Sequence, residues 1–72
     1  MKVKVVSNII GKTELTGEYE LAGPQRISAF METLGVAWDH EALVVVNNHI
    51  INEDYLVQDQ DEIHLLIPIF GG

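Results

Sequence analysis

The chain has 72 residues, of which 47% are hydrophobic, contains no cysteine and carries a formal net charge of −7. This length accommodates one domain, and the lack of cysteine excludes disulfides, thiolate metal ligands and a cysteine nucleophile. The longest apolar runs fall far short of the roughly 20 residues that span a bilayer, and no signal peptide is recognisable, so we expect a cytoplasmic protein without a membrane segment.

The charge is distributed unevenly along the chain. Lys2, Lys4 and Lys12 lie within the first twelve residues, and no lysine or arginine follows Arg26. Eight of the eleven carboxylates come after Arg26. An acidic surface formed by these carboxylates would repel the phosphate backbone of nucleic acids and favour encounter with a basic protein surface. The alternative is that the acids only keep a small domain soluble.

Two alternating segments at the start of the chain predict a β-hairpin. The first strand runs from Lys2 to about Ile9 and begins with a Lys-Val-Lys-Val alternation that places its valines inward. Gly11-Lys12 indicates a turn. Alternation resumes from Glu14 to Leu21, and the inward side chains of this second strand are those of Leu15, Tyr19 and Leu21.

An amphipathic helix is predicted next. Gly23-Pro24 ends the second strand and begins the helix, because proline is tolerated at the first helical position. Apolar residues then recur at helical spacing over about three turns, and they are Ile27, Phe30, Met31 and Leu34. Gly35 is placed to end the helix in a left-handed conformation.

The second half of the chain predicts three further strands. Ala42–Val46 is a β-branched run typical of a strand buried on both faces, Asn47-Asn48 indicates a turn, and His49–Ile51 is a short returning strand. Irregular turns are predicted at 53–56 and 59–61. In the last strand, Glu62–Ile67, one face carries Ile63, Leu65 and Ile67 and the other carries His64 and Leu66.

The order of these elements predicts an α+β protein with a β-grasp fold. Its mixed sheet would have four to five strands, with one main helix across its face. The first and last strands would pair in parallel at the centre of the sheet. We divide the chain into a β-grasp domain, residues 1–67, and a flexible C-terminal tail, residues 68–72.

No catalytic or metal-binding motif is recognisable. The three histidines, His40, His49 and His64, lack a partner at metal-ligand spacing. Neither a nucleophile elbow nor a glycine-rich phosphate loop is present. One sheet and one helix also leave no deep cleft in which two carboxylates could be desolvated. We therefore predict that the protein binds no metal or cofactor and is not an enzyme by itself.

The sequence ends in Gly71-Gly72, directly after the last predicted strand. An extended tail without side chains can enter a narrow channel in a partner and present the Gly72 carboxylate to chemistry there. The five residues from Pro68 span at most about 17 Å, which is enough to reach a neighbouring active site. The alternative is a frayed end without a function.

Three segments together are similar to one known family. Ala42–Ile51 resembles its strand, Asn-containing turn and strand, Val57–Ile63 resembles its DGDxI turn with Gln60 in place of the usual glycine, and Phe70-Gly71-Gly72 resembles its terminal diglycine. On these segments the whole chain resembles the ThiS/MoaD family of prokaryotic ubiquitin-like sulfur carriers.

The resemblance implies a carrier cycle with two protein partners. A ubiquitin-activating-type adenylyltransferase would use ATP to adenylate the carboxylate of Gly72, and a persulfide sulfur would replace the AMP to leave a thiocarboxylate. A sulfur-acceptor synthase would then receive the sulfur. This synthase would be a thiazole synthase or the large subunit of molybdopterin synthase.

The sequence leaves the pathway open. The short chain and the direct passage from Gly35 to Ala42 favour the thiamine branch, whereas Pro68 and the Lys-Val-Lys-Val opening favour the molybdopterin branch. We place thiamine thiazole formation first. A ubiquitin-like modifier that forms isopeptide bonds with lysines, and a β-grasp interaction module whose glycines are incidental, are the other classes.

The globular domain would serve for docking. Apolar residues on the outer face of the last strand or beyond it are candidates for the contact patch, and they are Leu66, Ile69 and Phe70. Neighbouring acids would orient a basic partner surface, and they are Asp59, Asp61 and Glu62. The alternative for Leu66 is that the helix or a loop covers it.

Overall fold

The computed structural model describes residues 1–38 and 42–67. These ranges form five strands, one α-helix and one short 3₁₀ turn at Thr13–Leu15. The strands and helix, in chain order, are β1 (Lys2–Ser7), β2 (Gly17–Glu20), α1 (Ile27–Thr33), β3 (Leu43–Val46), β4 (His49–Ile50) and β5 (Glu62–Ile67).

The five strands form one mixed sheet in the order β2-β1-β5-β3-β4. β1 and β5 pair in parallel, with Val5 opposite Ile63 and Ser7 opposite Leu65. β5 also pairs with β3 in the antiparallel direction, so the last strand of the chain lies at the centre of the sheet. The predicted α+β, β-grasp fold and its parallel central pair are confirmed.

One face of the sheet and one face of α1 share a single hydrophobic core. The core consists of alternate residues from β1, β3 and β5, three residues of the helix and one loop residue, namely Val3, Val5, Val44, Val46, Ile63, Leu65, Ile27, Phe30, Met31 and Val57. The inward positions predicted for β1 and for the first four residues of β5 are therefore confirmed. The side chain of Ile67 lies outside the described part of the structure.

The helix begins later than predicted. α1 begins at Ile27 rather than at Pro24, and it has seven residues, about two turns instead of three. The reason is tertiary: the N–H of Val57 donates to the carbonyl of Gln25 at 2.8 Å, and Arg26 forms an isolated bridge with Leu56. This pairing with a distant segment keeps the preceding residues extended.

The end of α1 is as predicted. Gly35 has φ +84°, the left-handed conformation that glycine adopts without steric cost. Its N–H donates to the carbonyl of Glu32 at 3.0 Å, and the N–H of Val36 donates to that of Met31 at 2.9 Å. These two bonds form a Schellman motif, which satisfies the last helical carbonyls.

The hairpin and β3 differ from the prediction in detail. β2 begins at Gly17 rather than Glu14, because the 3₁₀ turn occupies residues 13–15 and the hydroxyl of Thr16 accepts the N–H of Ser7 at 2.9 Å. In β3, only Val44 and Val46 are buried, so the prediction of burial on both faces is wrong. One face of the sheet is therefore left without a covering element within the described residues.

Candidate functional site

The candidate site is the end of the central strand β5 and the surface around it. β5 ends at Ile67, and residues 68–72 follow in the sequence. Ile69, Phe70, Gly71 and Gly72 lie outside the described residues, so the roles given to them remain predictions. The structure does describe the strand that precedes them and the surface around its end.

A row of side chains crosses the sheet face opposite the core. The strand register places Val6, His64, Val45 and Ile50 side by side on β1, β5, β3 and β4, and we call these four residues the open-face row. The first three are half-buried and Ile50 is 73% exposed. Sequence reasoning missed Val6, Val45 and Ile50, although Val6 and Val45 alternate with core valines on their own strands and so predict the opposite face.

Leu66 lies on β5 one residue before the end of the strand. Val44 is opposite Leu65 whereas Leu43 is opposite Ile67, so the register shifts there and leaves Leu66 without a partner on β3. Its side chain is half-buried. It therefore keeps an accessible part, at the end of the strand from which residues 68–72 continue.

Glu62 begins β5 and forms a pair with His64 on the same strand. The Nε2 of His64 lies 2.7 Å from Oε2 of Glu62, and Lys4 is the register partner of Glu62 on β1. The hydrogen bond from His64 is the main cause that lowers the pKa of Glu62, and the positive charge of Lys4 acts in the same direction. Glu62 is thus an exposed, ionised acid at the start of β5, and its role in docking remains a prediction.

Asp61 does not belong to an exposed acidic cluster. It is only 4% exposed, and its Oδ2 accepts hydrogen bonds from the hydroxyl of Tyr55 at 2.7 Å and the N–H of Gln58 at 2.8 Å. Its Oδ1 accepts the side-chain amide of Asn47 at 2.8 Å. The expectation that Asp61 orients a partner is therefore corrected, since this carboxylate is engaged in holding the fold. A turn aspartate has no local signature that reveals such burial.

Asp59 is exposed, but it lies near the start of β5 and not at the end of that strand, from which residues 68–72 continue. Its Oδ1 accepts the N–H of Lys2 at 2.8 Å, and the next residue, Gln60, donates its N–H to the carbonyl of Lys2 at 2.7 Å. The turn thus rests against the start of β1. Because a strand rises about 3.3 Å per residue, the six residues of β5 separate this turn from the end of the strand by about 17 Å.

Within residues 1–38 and 42–67, no group of three or more histidine, aspartate and glutamate side chains is arranged to hold a metal ion. Nor does the helix described there have the length and apolar character needed to cross a bilayer. The site thus consists of a fixed central strand, the open-face row with its three apolar side chains and His64, and an ionised glutamate. Such an arrangement suits a docking surface.

Comparison with known proteins gives one match. The family model of the ThiS family matches residues 10–72. The matched range includes β5, most of the residues of the open-face row and the terminal Gly71-Gly72. No curated protein matches the chain.

Proposed function

The chain belongs to the ThiS family of small sulfur carriers, and from this membership we propose that it carries sulfur as a thiocarboxylate on Gly72. The observation that supports the proposal most directly is that the match extends through Gly71-Gly72, the residues that continue from the central strand β5. In this proposal residues 68–72 form the working tail. The protein acts as a carrier for its partners rather than as an enzyme.

The proposed chemistry has three steps. An oxygen of the Gly72 carboxylate attacks the α-phosphorus of ATP in the activating enzyme, which forms an acyl adenylate and releases pyrophosphate. The terminal sulfur of a donor persulfide then attacks the acyl carbon and expels AMP, which leaves an acyl disulfide. A second thiol attacks the donor sulfur of that disulfide, forms a new disulfide with the donor and releases the thiocarboxylate.

The sheet would serve to hold the tail in a defined position. β5 is paired on both sides, with β1 and β3, and its first residues are fixed by the hydrogen bonds of Asp61. A strand paired on both sides cannot shift its register without moving its alternate core side chains to the wrong face. The point from which residues 68–72 continue is therefore fixed relative to the rest of the surface.

Docking to the activating enzyme is assigned to the open-face row together with Leu66. The valines of the row, Ile50 and Leu66 offer an apolar contact, and the pair of His64 and Glu62 adds polar groups beside it. The proposal also assigns docking roles to Ile69 and Phe70, which lie outside the described residues. Asp59 contributes at most at long range, because it lies at the far end of β5.

Among the pathways that could accept the sulfur, we propose thiamine thiazole formation first. We expect the sulfur transfer to take place in the cytoplasm. The passage from Gly35 to the start of β3 at Leu43 is short, and this shortness is the feature that favours the thiamine branch. Molybdopterin synthesis is the alternative, and a ubiquitin-like modifier is the second class. Incubation of the thiocarboxylate form with a thiazole synthase or a molybdopterin synthase large subunit, followed by assay of sulfur transfer, distinguishes the pathways.

The test of the carrier function is an intact mass spectrum. After incubation with the cognate activating enzyme, ATP and a sulfur donor, one carboxyl oxygen should be replaced by sulfur. The same spectrum establishes that Gly72 is the last residue of the protein. A variant lacking Gly72 should fold, because terminal residues contribute little to the core. It should acquire no sulfur, because the residue that carries the sulfur is absent. Equal sulfur incorporation by the truncated protein would contradict the proposal.

A further inference from the structure

The turn after β1 holds an isoleucine almost wholly in solvent. Ile10 is 97% exposed. The N–H of Lys12 donates to the carbonyl of Ile9 at 2.9 Å, and Gly11 has φ +83°, the positive value that the third residue of a type II turn requires. Ile10 occupies the second position of this turn, and its side chain is left in solvent.

The turn is fixed at both of its ends. Before it, Ile9 is half-buried and packs against the core, and the N–H of Ser7 donates to the hydroxyl of Thr16 at 2.9 Å. After it, the N–H of Leu15 donates to the carbonyl of Lys12 at 3.1 Å. Ile10 is thus presented by an ordered loop, and a side chain presented in this way loses little further conformational freedom on binding.

The topology places this turn at the same end of the sheet as the end of β5. β1 and β5 are parallel, and the N–H of Asn8 donates to the carbonyl of Leu65 at 2.9 Å. Ile10 lies two residues beyond Asn8, and residues 68–72 begin just beyond the end of β5. Five residues span at most about 17 Å, so an enzyme whose active site receives Gly72 must lie against this end of the sheet.

We propose that Ile10 is an anchor that inserts into an apolar pocket of the activating enzyme, beside the channel that receives the tail. This inference rests on the proposed carrier function. It adds a contact on the β1–β2 loop, which belongs neither to the open-face row nor to β5. Leu56 is another exposed large hydrophobic residue, with 51% of its surface exposed. It forms a bridge with Arg26 beside the start of the helix and not in the β1–β2 loop. Leu56 therefore serves as a comparison residue.

The test measures ATP–pyrophosphate exchange by the activating enzyme as a function of carrier concentration. For Ile10→Asp, we expect the concentration that gives half-maximal exchange to rise by about tenfold or more, with an unchanged maximal rate, because the tail is intact. Ile10→Leu should behave as the wild type. Leu56→Asp is the matched control, because it also replaces an exposed aliphatic side chain by a carboxylate. It should leave the half-maximal concentration and the maximal rate unchanged.

Each outcome decides the proposal. Circular dichroism and thermal melting establish that Ile10→Asp is folded, and wild-type kinetics in that folded variant would overturn the inference alone. Sedimentation of the wild type as a dimer that Ile10→Asp dissociates would assign Ile10 to a second copy of the chain, which also overturns it. Absence of exchange with the wild type would instead overturn the carrier function, and the inference with it.

Discussion

The hydroxyl of Tyr55 donates a 2.7 Å hydrogen bond to Oδ2 of Asp61, a carboxylate that is only 4% exposed. The N–H of Gln58 binds the same oxygen, and the side-chain amide of Asn47 binds the other. We call these four residues the Asp61 cluster. It joins the loop after β4, the turn between β3 and β4, and the residue that precedes β5. A buried carboxylate is tolerated here because each of its oxygens has a donor.

Removal of the Tyr55 hydroxyl should destabilise the fold. Tyr55→Phe keeps the ring but withdraws one donor from Asp61, and a hydrogen bond to a charged group contributes about 1.5–3 kcal/mol to stability. We expect the free energy of unfolding in urea to fall by about 1–2 kcal/mol, because Tyr55 is only half-buried. Glu53→Gln, at an exposed position of the same loop, is the control and should stay within about 0.5 kcal/mol. A Tyr55→Phe protein as stable as this control would contradict the role of the cluster.

The same contact predicts a stability loss in alkali. Burial, followed by the hydrogen bond to Asp61 and its negative charge, raises the pKa of Tyr55 from 10.0 to about 12. Since the folded pKa exceeds the unfolded value, the contribution to stability is fully present below pH 10 and is lost as the pH rises through about 12. In Tyr19→Phe, Tyr55 is the remaining tyrosine, and phenolate absorbance should give its midpoint near 12. A midpoint at the ordinary value of 10.0 would rule out this burial.

Gln60 should be replaceable by glycine with a gain in stability. Its φ of +72° lies in the left-handed region, which costs a residue with a side chain about 1 kcal/mol. We expect Gln60→Gly to raise the free energy of unfolding by up to about 1 kcal/mol, less the entropy that glycine adds to the unfolded chain.

Asn47→Gly is the matched comparison for this substitution. Asn47 also has a positive φ, +52°, but its side chain donates to Asp61 and accepts the N–H of Glu62 at 3.0 Å. Here we expect a loss of stability, because two hydrogen bonds disappear with the side chain. We thus expect the free energy of unfolding to rise in Gln60→Gly and to fall in Asn47→Gly. A change of the same sign in both variants would contradict this prediction.

Apolar residues at the end of β5 should contribute to docking rather than to stability. Phe70→Asp should weaken binding to the activating enzyme by about 2 kcal/mol or more, as expected for an aromatic anchor, and Leu66→Asp should weaken it less because part of that side chain is buried. Isothermal titration calorimetry measures the affinity and differential scanning calorimetry the melting temperature. A collapse of the fold in Phe70→Asp would assign this residue to the core and exclude the docking role.

The salt dependence of association should depend on Glu14 more than on Asp59. Glu14 is exposed in the 3₁₀ turn that follows the Ile10 turn, at the end of the sheet where β5 ends, whereas Asp59 contacts Lys2 at the other end. Charges act over a Debye length of about 10 Å at 0.1 M salt, which is shorter than the strand that separates the two ends. In stopped-flow measurements, Glu14→Gln should flatten the salt dependence of the association rate more than Asp59→Asn. Equal effects would mean that net charge alone steers the encounter.

Local pattern determined much of the fold. The alternation in β1 and β5 predicted their inward faces, and Gly35 and Asn47-Asn48 predicted the helix end and the turn that the structure contains. The order of elements predicted the β-grasp topology, including the parallel pair at the centre. The candidate tail was recognisable for the same reason, because Gly71-Gly72 is a local feature of the chain.

The tertiary structure alone decided where these local features lie relative to one another. Asp61 was predicted as a surface acid, but Tyr55 and Asn47 approach it and complete its hydrogen bonds. Ile10 had no distinguishing pattern until the parallel pairing placed its turn at the end of β5. The sequence encodes the face of each strand, because side chains alternate between the two faces. Burial of a polar group and proximity of two loops depend instead on contacts between residues that are far apart in the chain. Only the packed sheet brings such residues together.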